Sequence, residues 1–252
     1  MDLLLAERTF VPYGPSHWAL MALIVVGSVV LAVVGRRYRD SEGARWFARG
    51  FALVMLAFLV PMLVYRHLPS QWDVEVSLPF HLCDLAWMTA AFALWTRSQW
   101  AYALTYYWGL TLTPQAMITP ALDAPDFPHI DFIDFWAQHL AVVWAAVFLT
   151  WGIGMRPGWR DLWRSAAVTV CWGVVMLVFN EWAGTNYGFL NSKPENPSLL
   201  DLMGGWPWYL GVELVVGLAG WALVTWPWTV RASRSPAAAT PRRPRWPRSS
   251  RG

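Results

Sequence analysis

Three residues of a four-residue stretch, His81, Cys83 and Asp84, place an imidazole, a thiol and a carboxylate side by side. The flanking segments are apolar enough to lie inside a membrane, where ionisable side chains are costly and mark functional sites. An imidazole can carry a proton, and a thiol can act as a nucleophile. The stretch therefore predicts proton-transfer or nucleophilic chemistry at membrane depth.

Helical geometry limits which of these side chains can act together. If the stretch is helical, His81 and Asp84 are three residues apart and share a face, so Asp84 could orient the His81 ring. Cys83 then lies about 200° around the helix from His81, because each residue turns the helix by about 100°. We therefore expect the base for Cys83 to come from another helix.

The composition indicates that the surrounding elements are transmembrane helices. Of the 252 residues, 56% are hydrophobic and 14% are charged, whereas about a quarter of the residues in a soluble domain are charged. Apolar runs of about 20 residues recur without the alternation that barrel strands require. We predict an all-α, polytopic membrane bundle of about seven transmembrane helices, at residues 17–35, 47–65, 78–95, 100–119, 135–154, 162–182 and 206–228.

The charges of the loops predict the orientation of this bundle. Arginine is concentrated in the first loop, the fifth loop and the C-terminal tail, which fall on one side, and acidic residues occupy the opposite loops. Positive loops face the cytoplasm. We predict a multi-pass protein of the cell membrane, with the N-terminus outside and the C-terminus in the cytoplasm.

The chain divides by composition into two parts. Residues 1–230 are predicted to form the seven-helix transmembrane domain. Residues 231–252 are rich in arginine and proline and cannot bury a core, so a disordered cytoplasmic tail is predicted there.

Polar side chains from five of these helices are predicted to meet at one depth, near the outer face. A rise of about 1.5 Å per residue sets the depth of each side chain. Chance would scatter such residues along the spans, so their common level indicates a polar cavity in the outer half of the bilayer. The residues concerned are His81, Cys83, Asp84, Gln115, Asp134, Gln138, His139, Asn180, Glu181 and Glu213.

An acyl-transfer site is the chemistry predicted for this cavity. Cys83 is the candidate nucleophile and His139, at matching depth on the fifth helix, the candidate base. Gln115 or Asn180 is the candidate hydrogen-bond donor to the oxyanion. Purely structural roles are the alternatives: Cys83 as a small apolar side chain in the packing, and His139 as a hydrogen-bond link between helices.

A metal site is a further alternative for the same cavity. His81, Asp84 and His139 supply suitable ligand types, but their spacing matches no recognised metal motif. We expect neither a metal nor a cofactor.

The loop after the sixth helix, residues 180–194, is long, aromatic and rich in glycine and asparagine. Glycine permits tight turns, and asparagine side chains satisfy backbone groups within them. The loop is predicted to be either a lid over the outer cavity or a purely structural cap.

Four motifs carry a family resemblance: His81-Leu82-Cys83-Asp84, Trp108-Gly109-Leu110 to Gln115, Asp134-Phe135-Trp136 to His139, and Asn180 with Gly184-Thr185-Asn186-Tyr187 and Phe189-Leu190. Together they resemble the bacterial YwaF-like family of integral membrane proteins over about residues 47–228. That family is distantly similar to eukaryotic multi-pass acyltransferases that act on ether phospholipids. The distant similarity implies that Cys83 is the acyl-accepting nucleophile.

We therefore predict acyl transfer or hydrolysis on a membrane lipid, at the depth of the glycerol ester bonds. Membrane lipids are the expected partners and nucleic acid is not; the sequence does not predict an oligomeric state. Two other functions remain open. One is a binding or transport protein for a small solute or a proton, and the other is a non-catalytic membrane scaffold.

Overall fold

Seven helical spans make up a computed structural model that describes residues 9–194 and 198–234. Within these residues there is no strand. The prediction of an all-α protein with seven helices is confirmed. The helices are α1 (Pro15–Tyr38), α2 (Glu42–Arg66), α3 (Leu82–Thr96), α4 (Gln99–Tyr107) with its continuation α5 (Thr113–Ile118), α6 (Ile130–Val147), α7 (Trp159–Ala183) and α8 (Trp208–Arg234).

Five of these spans are long and apolar enough to cross a membrane: α1, α2, α7, α8, and α6 with its extension to Ile153. The apolar helix α3 is shorter, with 15 residues. It lies inside the bundle, where Ala86, Ala90 and Ala93 are buried. Small side chains allow neighbouring helices to approach closely, so α3 packs directly on α4 and α6.

Helix α3 begins at Leu82, four residues later than the predicted third span. Pro79 disfavours the helical conformation for the residue before it, Leu78, which keeps the predicted first residue of this span out of the helix. His81 is the N-cap residue, with an extended backbone. The predicted angle of about 200° between His81 and Cys83 is therefore wrong, since only Cys83 belongs to the helix.

The fourth span is interrupted by a wide π-helical turn, Trp108–Leu112, between α4 and α5. Pro114 follows this turn and has no N–H, so it cannot donate the hydrogen bond that a regular helix would require there. Every residue of α4 from Ala101 to Tyr107 is buried. The turn sits beside the cavity described below, a common position for π-helical segments.

Helix α8 continues to Arg234, beyond the predicted end of the membrane domain at residue 230. The rest of the predicted disordered tail, 235–252, lies outside the described residues.

Candidate functional site

A cavity of about 1220 Å³ lies between α3, α5, α6, α7 and α8. It sits where α2 ends and α3 begins, and we call this end of the bundle the cavity end. Ordinary small-molecule pockets measure about 300–1,000 Å³, so the space suits a larger ligand. Its wall from α7 and α8 is apolar except for Thr169 and Glu213, and the predicted cavity residue Glu213 therefore does line the space. The opposite wall carries the polar side chains of His81, Cys83, Asp84, Gln115, Gln138 and His139.

Cys83 lies in the first turn of α3, where it is half-buried and lines the cavity. The first turn of a helix presents unpaired N–H groups and the positive end of the helix dipole. Negative charge that develops on sulfur there faces a favourable field. The second cysteine, Cys171, is exposed on α7 and does not line the cavity.

His139 projects from α6 into the same cavity and is almost fully buried. Its Nδ1 lies 2.6 Å from the Phe135 carbonyl oxygen. A carbonyl oxygen only accepts hydrogen bonds, so Nδ1 carries the hydrogen and the neutral ring keeps a lone pair on Nε2. The cavity thus holds a thiol and an imidazole whose Nε2 can accept a proton. No hydrogen bond joins Cys83 to His139 in the part of the chain that the structure describes.

Asp84 contacts His81 differently from the prediction. Asp84 Oδ2 accepts a hydrogen bond from the His81 backbone N–H at 3.1 Å, and no bond from the His81 ring to Asp84 is found in the described chain. The carboxylate therefore caps α3, as an acidic residue at the third helical position does. The ring of His81 instead faces the loop after α7, where Gly188 N lies 3.5 Å from His81 Nδ1.

Gln115 lines the cavity from α5, just beyond the π-helical turn. Its side-chain amide makes no hydrogen bond with any other described residue. A free amide N–H facing a cavity is available to a ligand oxygen, so the geometry is compatible with the predicted donor role.

Asn180 is placed differently from the prediction. It is buried and does not line the cavity. Its Nδ2 donates to Tyr187 O and to Asn191 Oδ1, both at 3.0 Å, and its Oδ1 accepts from Thr185 Oγ1 and Tyr187 N, both at 2.9 Å. Both amide hydrogens are in use, so Asn180 folds the loop and has no N–H left for an oxyanion.

The loop held by Asn180 forms the roof of the cavity. Its residue Tyr187 is fully buried, donates to Val74 O at 2.6 Å and accepts from Leu78 N at 3.2 Å. Gly188 and Phe189 line the space beneath. The loop is thus bonded to the segment before α3, and whether it opens as a lid remains a prediction.

Sequence reasoning missed Arg66, the last residue of α2. Its guanidinium forms an ion pair with Asp134 of α6, and both side chains lie at the cavity end, beside Asp84 and Gln138. A signal was present in the sequence: Arg66 ends a helix on the predicted outer side, which the positive-inside rule depletes of arginine. A basic residue retained there has a partner or a function.

The metal alternative receives no support from the positions of its ligands. Nowhere in residues 9–194 and 198–234 do three His, Cys, Asp or Glu side chains gather as a metal ion requires. His81 and Asp84 meet through a backbone N–H, and His139 Nδ1 is engaged by a carbonyl.

One comparison with known proteins gives a match. A family model described as the TMEM164 family, a family of membrane proteins, matches residues 12–225, which include all seven helical spans in whole or in part. Neither the curated proteins nor the solved structures contain a match. The YwaF-like resemblance and the distant acyltransferase similarity remain predictions.

Proposed function

The chain belongs to the TMEM164 family of multi-pass membrane proteins, and we propose that it transfers or hydrolyses the acyl group of a membrane lipid through Cys83. The observation that carries the proposal is the shared cavity. A thiol at a helix N-terminus and an imidazole with a free Nε2 lone pair line one membrane-embedded space.

In the first step, Cys83 Sγ attacks the ester carbonyl carbon of the lipid and His139 Nε2 takes the thiol proton. An unpaired thiolate is costly in an apolar site, so the proton leaves as the S–C bond forms. The tetrahedral intermediate collapses, the ester C–O bond breaks, and His139 returns the proton to the departing alcohol. The product is a thioester on Cys83.

In the second step, a hydroxyl of another lipid, or water, attacks the thioester. His139 takes the proton of the attacking O–H and returns it to Cys83 Sγ when the C–S bond breaks. The amide of Gln115 is the proposed donor to the oxyanion in both steps, because it lines the cavity without a hydrogen-bond partner among the described residues. Removing one such donor typically lowers kcat about 100- to 1,000-fold.

A lipid is the proposed substrate because of how the cavity walls differ. The polar wall from α3, α5 and α6 lies opposite a wall from α7 and α8 that is apolar except for Thr169 and Glu213, and its residues Val174 and Leu214 line the space and are exposed. A ligand with an ester group and an acyl chain matches both walls. We also propose that the cavity end faces the outside, as the loop charges predict.

The experiment compares Cys83→Ala with Cys171→Ala in the purified full chain, reconstituted in vesicles of mixed phospholipids. A lipid-like ester carrying a labelled acyl group reports both thioester formation and transfer. We expect label on the protein to disappear in Cys83→Ala and to persist in Cys171→Ala. In His139→Gln, we expect slower labelling with an unchanged amount of folded protein.

The proposal fails if the Cys83→Ala protein is labelled as fully as the wild-type protein and yields the same lipid profile in the vesicles as the wild-type protein does. Cys171→Ala controls for loss of a thiol in general, since Cys171 is exposed on α7 and does not line the cavity. Cys83→Ser is a milder substitution, because it nearly keeps the size of the side chain and replaces the thiol with a hydroxyl group.

A second candidate function is supported by the Arg66–Asp134 ion pair. Charged pairs inside membrane proteins frequently lie on the pathway of a solute or a proton. This candidate predicts that Cys83→Ser retains function, while Asp134→Asn abolishes uptake of a solute or movement of protons in reconstituted vesicles. The acyl-transfer proposal instead predicts that Cys83→Ser loses the thioester label, so this variant separates the two candidates.

A further inference from the structure

Three arginines meet at the end of the bundle opposite the cavity end. Arg45 and Arg49 lie in the first two turns of α2, and Arg97 directly follows α3. Burial, and then the positive charges of Arg45 and Arg49, lower the pKa of Arg97 below its ordinary value. The guanidinium groups of Arg45 and Arg49 therefore lie close enough to Arg97 to repel its charge.

No carboxylate balances this charge. None of the three arginines has a carboxylate oxygen within 4.0 Å in the described chain, and Glu42, in the first turn of α2, is exposed. The N-terminal end of α2 and the C-terminal end of α3 carry dipole charges of opposite sign and similar size, so the positive charge here comes from the arginine side chains. Two buried donor atoms, Arg49 Nε and Arg97 Nη2, have no hydrogen-bond partner among the described residues. Buried donors in native proteins are nearly always satisfied by protein, water or ligand, so both atoms are available to a ligand that accepts hydrogen bonds.

Two tryptophans hold the central arginine in place. The Arg49 guanidinium carbon lies 5.6 Å from the centre of the Trp46 ring and 5.4 Å from that of Trp95. Cation–π contacts at these distances orient a guanidinium. Tryptophan is also enriched at the level of lipid headgroups, which places the cluster where a headgroup would lie.

The backbone at Arg97 is a separate observation. Arg97 is left-handed, with φ at 55°, and closes α3 by donating its N–H to Ala93 O at 2.8 Å. Glycine and asparagine adopt this conformation more easily. The backbone therefore does not explain an arginine here, and its side chain needs another explanation.

We propose that Arg45, Arg49 and Arg97 bind the phosphate of an anionic phospholipid at this face of the membrane. Arginine presents paired N–H groups that match phosphate oxygens, and the indole rings of Trp46 and Trp95 offer apolar surface to the glycerol and the upper acyl chains. The site is independent of the cavity and of the function proposed for it.

The test uses the purified full chain in neutral detergent. Native mass spectrometry and thermal unfolding follow the addition of phosphatidylglycerol or of phosphatidylcholine. We expect preferential binding of phosphatidylglycerol and a higher Tm with it. In R49Q/R97Q, we expect the apparent affinity to fall about thirtyfold, from about 1 kcal/mol for each basic residue near anionic lipid.

The matched control is R36Q/R37Q, which removes two exposed arginines from the same end of the bundle. An equal loss of affinity in this variant would mean that general surface charge, and not the cluster, binds the lipid. Competition by inorganic phosphate at the same concentrations would make the cluster a site for free anions and would also overturn the proposal. If R49Q/R97Q does not fold, R49K/R97K keeps the charge without the paired N–H groups, and we expect a severalfold loss; unchanged affinity in it contradicts the proposal.

Discussion

The Arg66 guanidinium donates a hydrogen bond to Asp134 Oδ2, and this ion pair joins the end of α2 to α6 at the cavity. The Asp134 side chain is 7% exposed and that of Arg66 is 30% exposed. One charge is thus withdrawn from solvent while the other still reaches it. Such a pair holds two helices in register beside Asp84.

We expect Asp134→Ala to destabilise the protein by about 2 kcal/mol. Breaking a fully buried pair costs about 3–5 kcal/mol because one charge stays behind unpaired, and the partial exposure of Arg66 reduces that cost. Unfolding in detergent by a chemical denaturant measures the difference. The double variant Arg66→Ala/Asp134→Ala should lose less than the sum of the two single variants; strict additivity would mean that the pair contributes no coupling.

Asn180→Ala should loosen the loop above the cavity. Four hydrogen bonds converge on the Asn180 side chain, and the buried groups they satisfy would lose their partners. We expect faster hydrogen–deuterium exchange across residues 185–191 and little change elsewhere.

Glu181→Gln is the control for Asn180→Ala, because Glu181 is the exposed neighbour. Unchanged exchange in Asn180→Ala, together with lost acyl transfer, would contradict the loop role and restore the oxyanion role that the sequence suggested.

Two glycines of the same loop form a matched pair. Gly184 and Gly188 both have positive φ, at 69° and 72°. A Cβ on Gly184 meets open space, whereas a Cβ on Gly188 would lie 2.4 Å from the Trp172 ring. We expect Gly184→Ala to cost about 1 kcal/mol from backbone strain alone, and Gly188→Ala to cost more because Trp172 must move. Thermal unfolding and tryptophan fluorescence report both effects, and equal Tm values for the two variants would be inconsistent with the crowding at Gly188.

The proposed orientation can be tested with single cysteines in a Cys83→Ala/Cys171→Ala background. Ser70 lies in the exposed segment after α2, at the cavity end, and Asp40 lies in the exposed turn between α1 and α2, at the other end. A membrane-impermeant maleimide should label Ser70→Cys in intact cells and Asp40→Cys only after the membrane is opened. The reverse pattern would place the cavity end in the cytoplasm.

Several features of this protein followed directly from the sequence. Apolar runs of about 20 residues specify helices in a bilayer because no other open structure satisfies its backbone there. Seven helical spans are found in the described residues, and five of them are long and apolar enough to cross a membrane. Distance along a helix gives depth, so the gathering of His81, Cys83, Gln115 and His139 on one cavity was predictable before any contact was known.

The partners of these residues were decided by the tertiary structure alone. Asp84 bonds the backbone of His81 because His81 is the N-cap residue of α3 and Asp84 its third helical residue. The side chain of Asn180 bonds the loop that follows α7. Arg66 meets Asp134 across 68 residues of sequence. Hydropathy determines how deep a residue lies, but the rotation of each helix about its axis and the path of each loop are set by packing between distant segments. Depth could therefore be predicted from single segments, whereas each contact required the whole bundle.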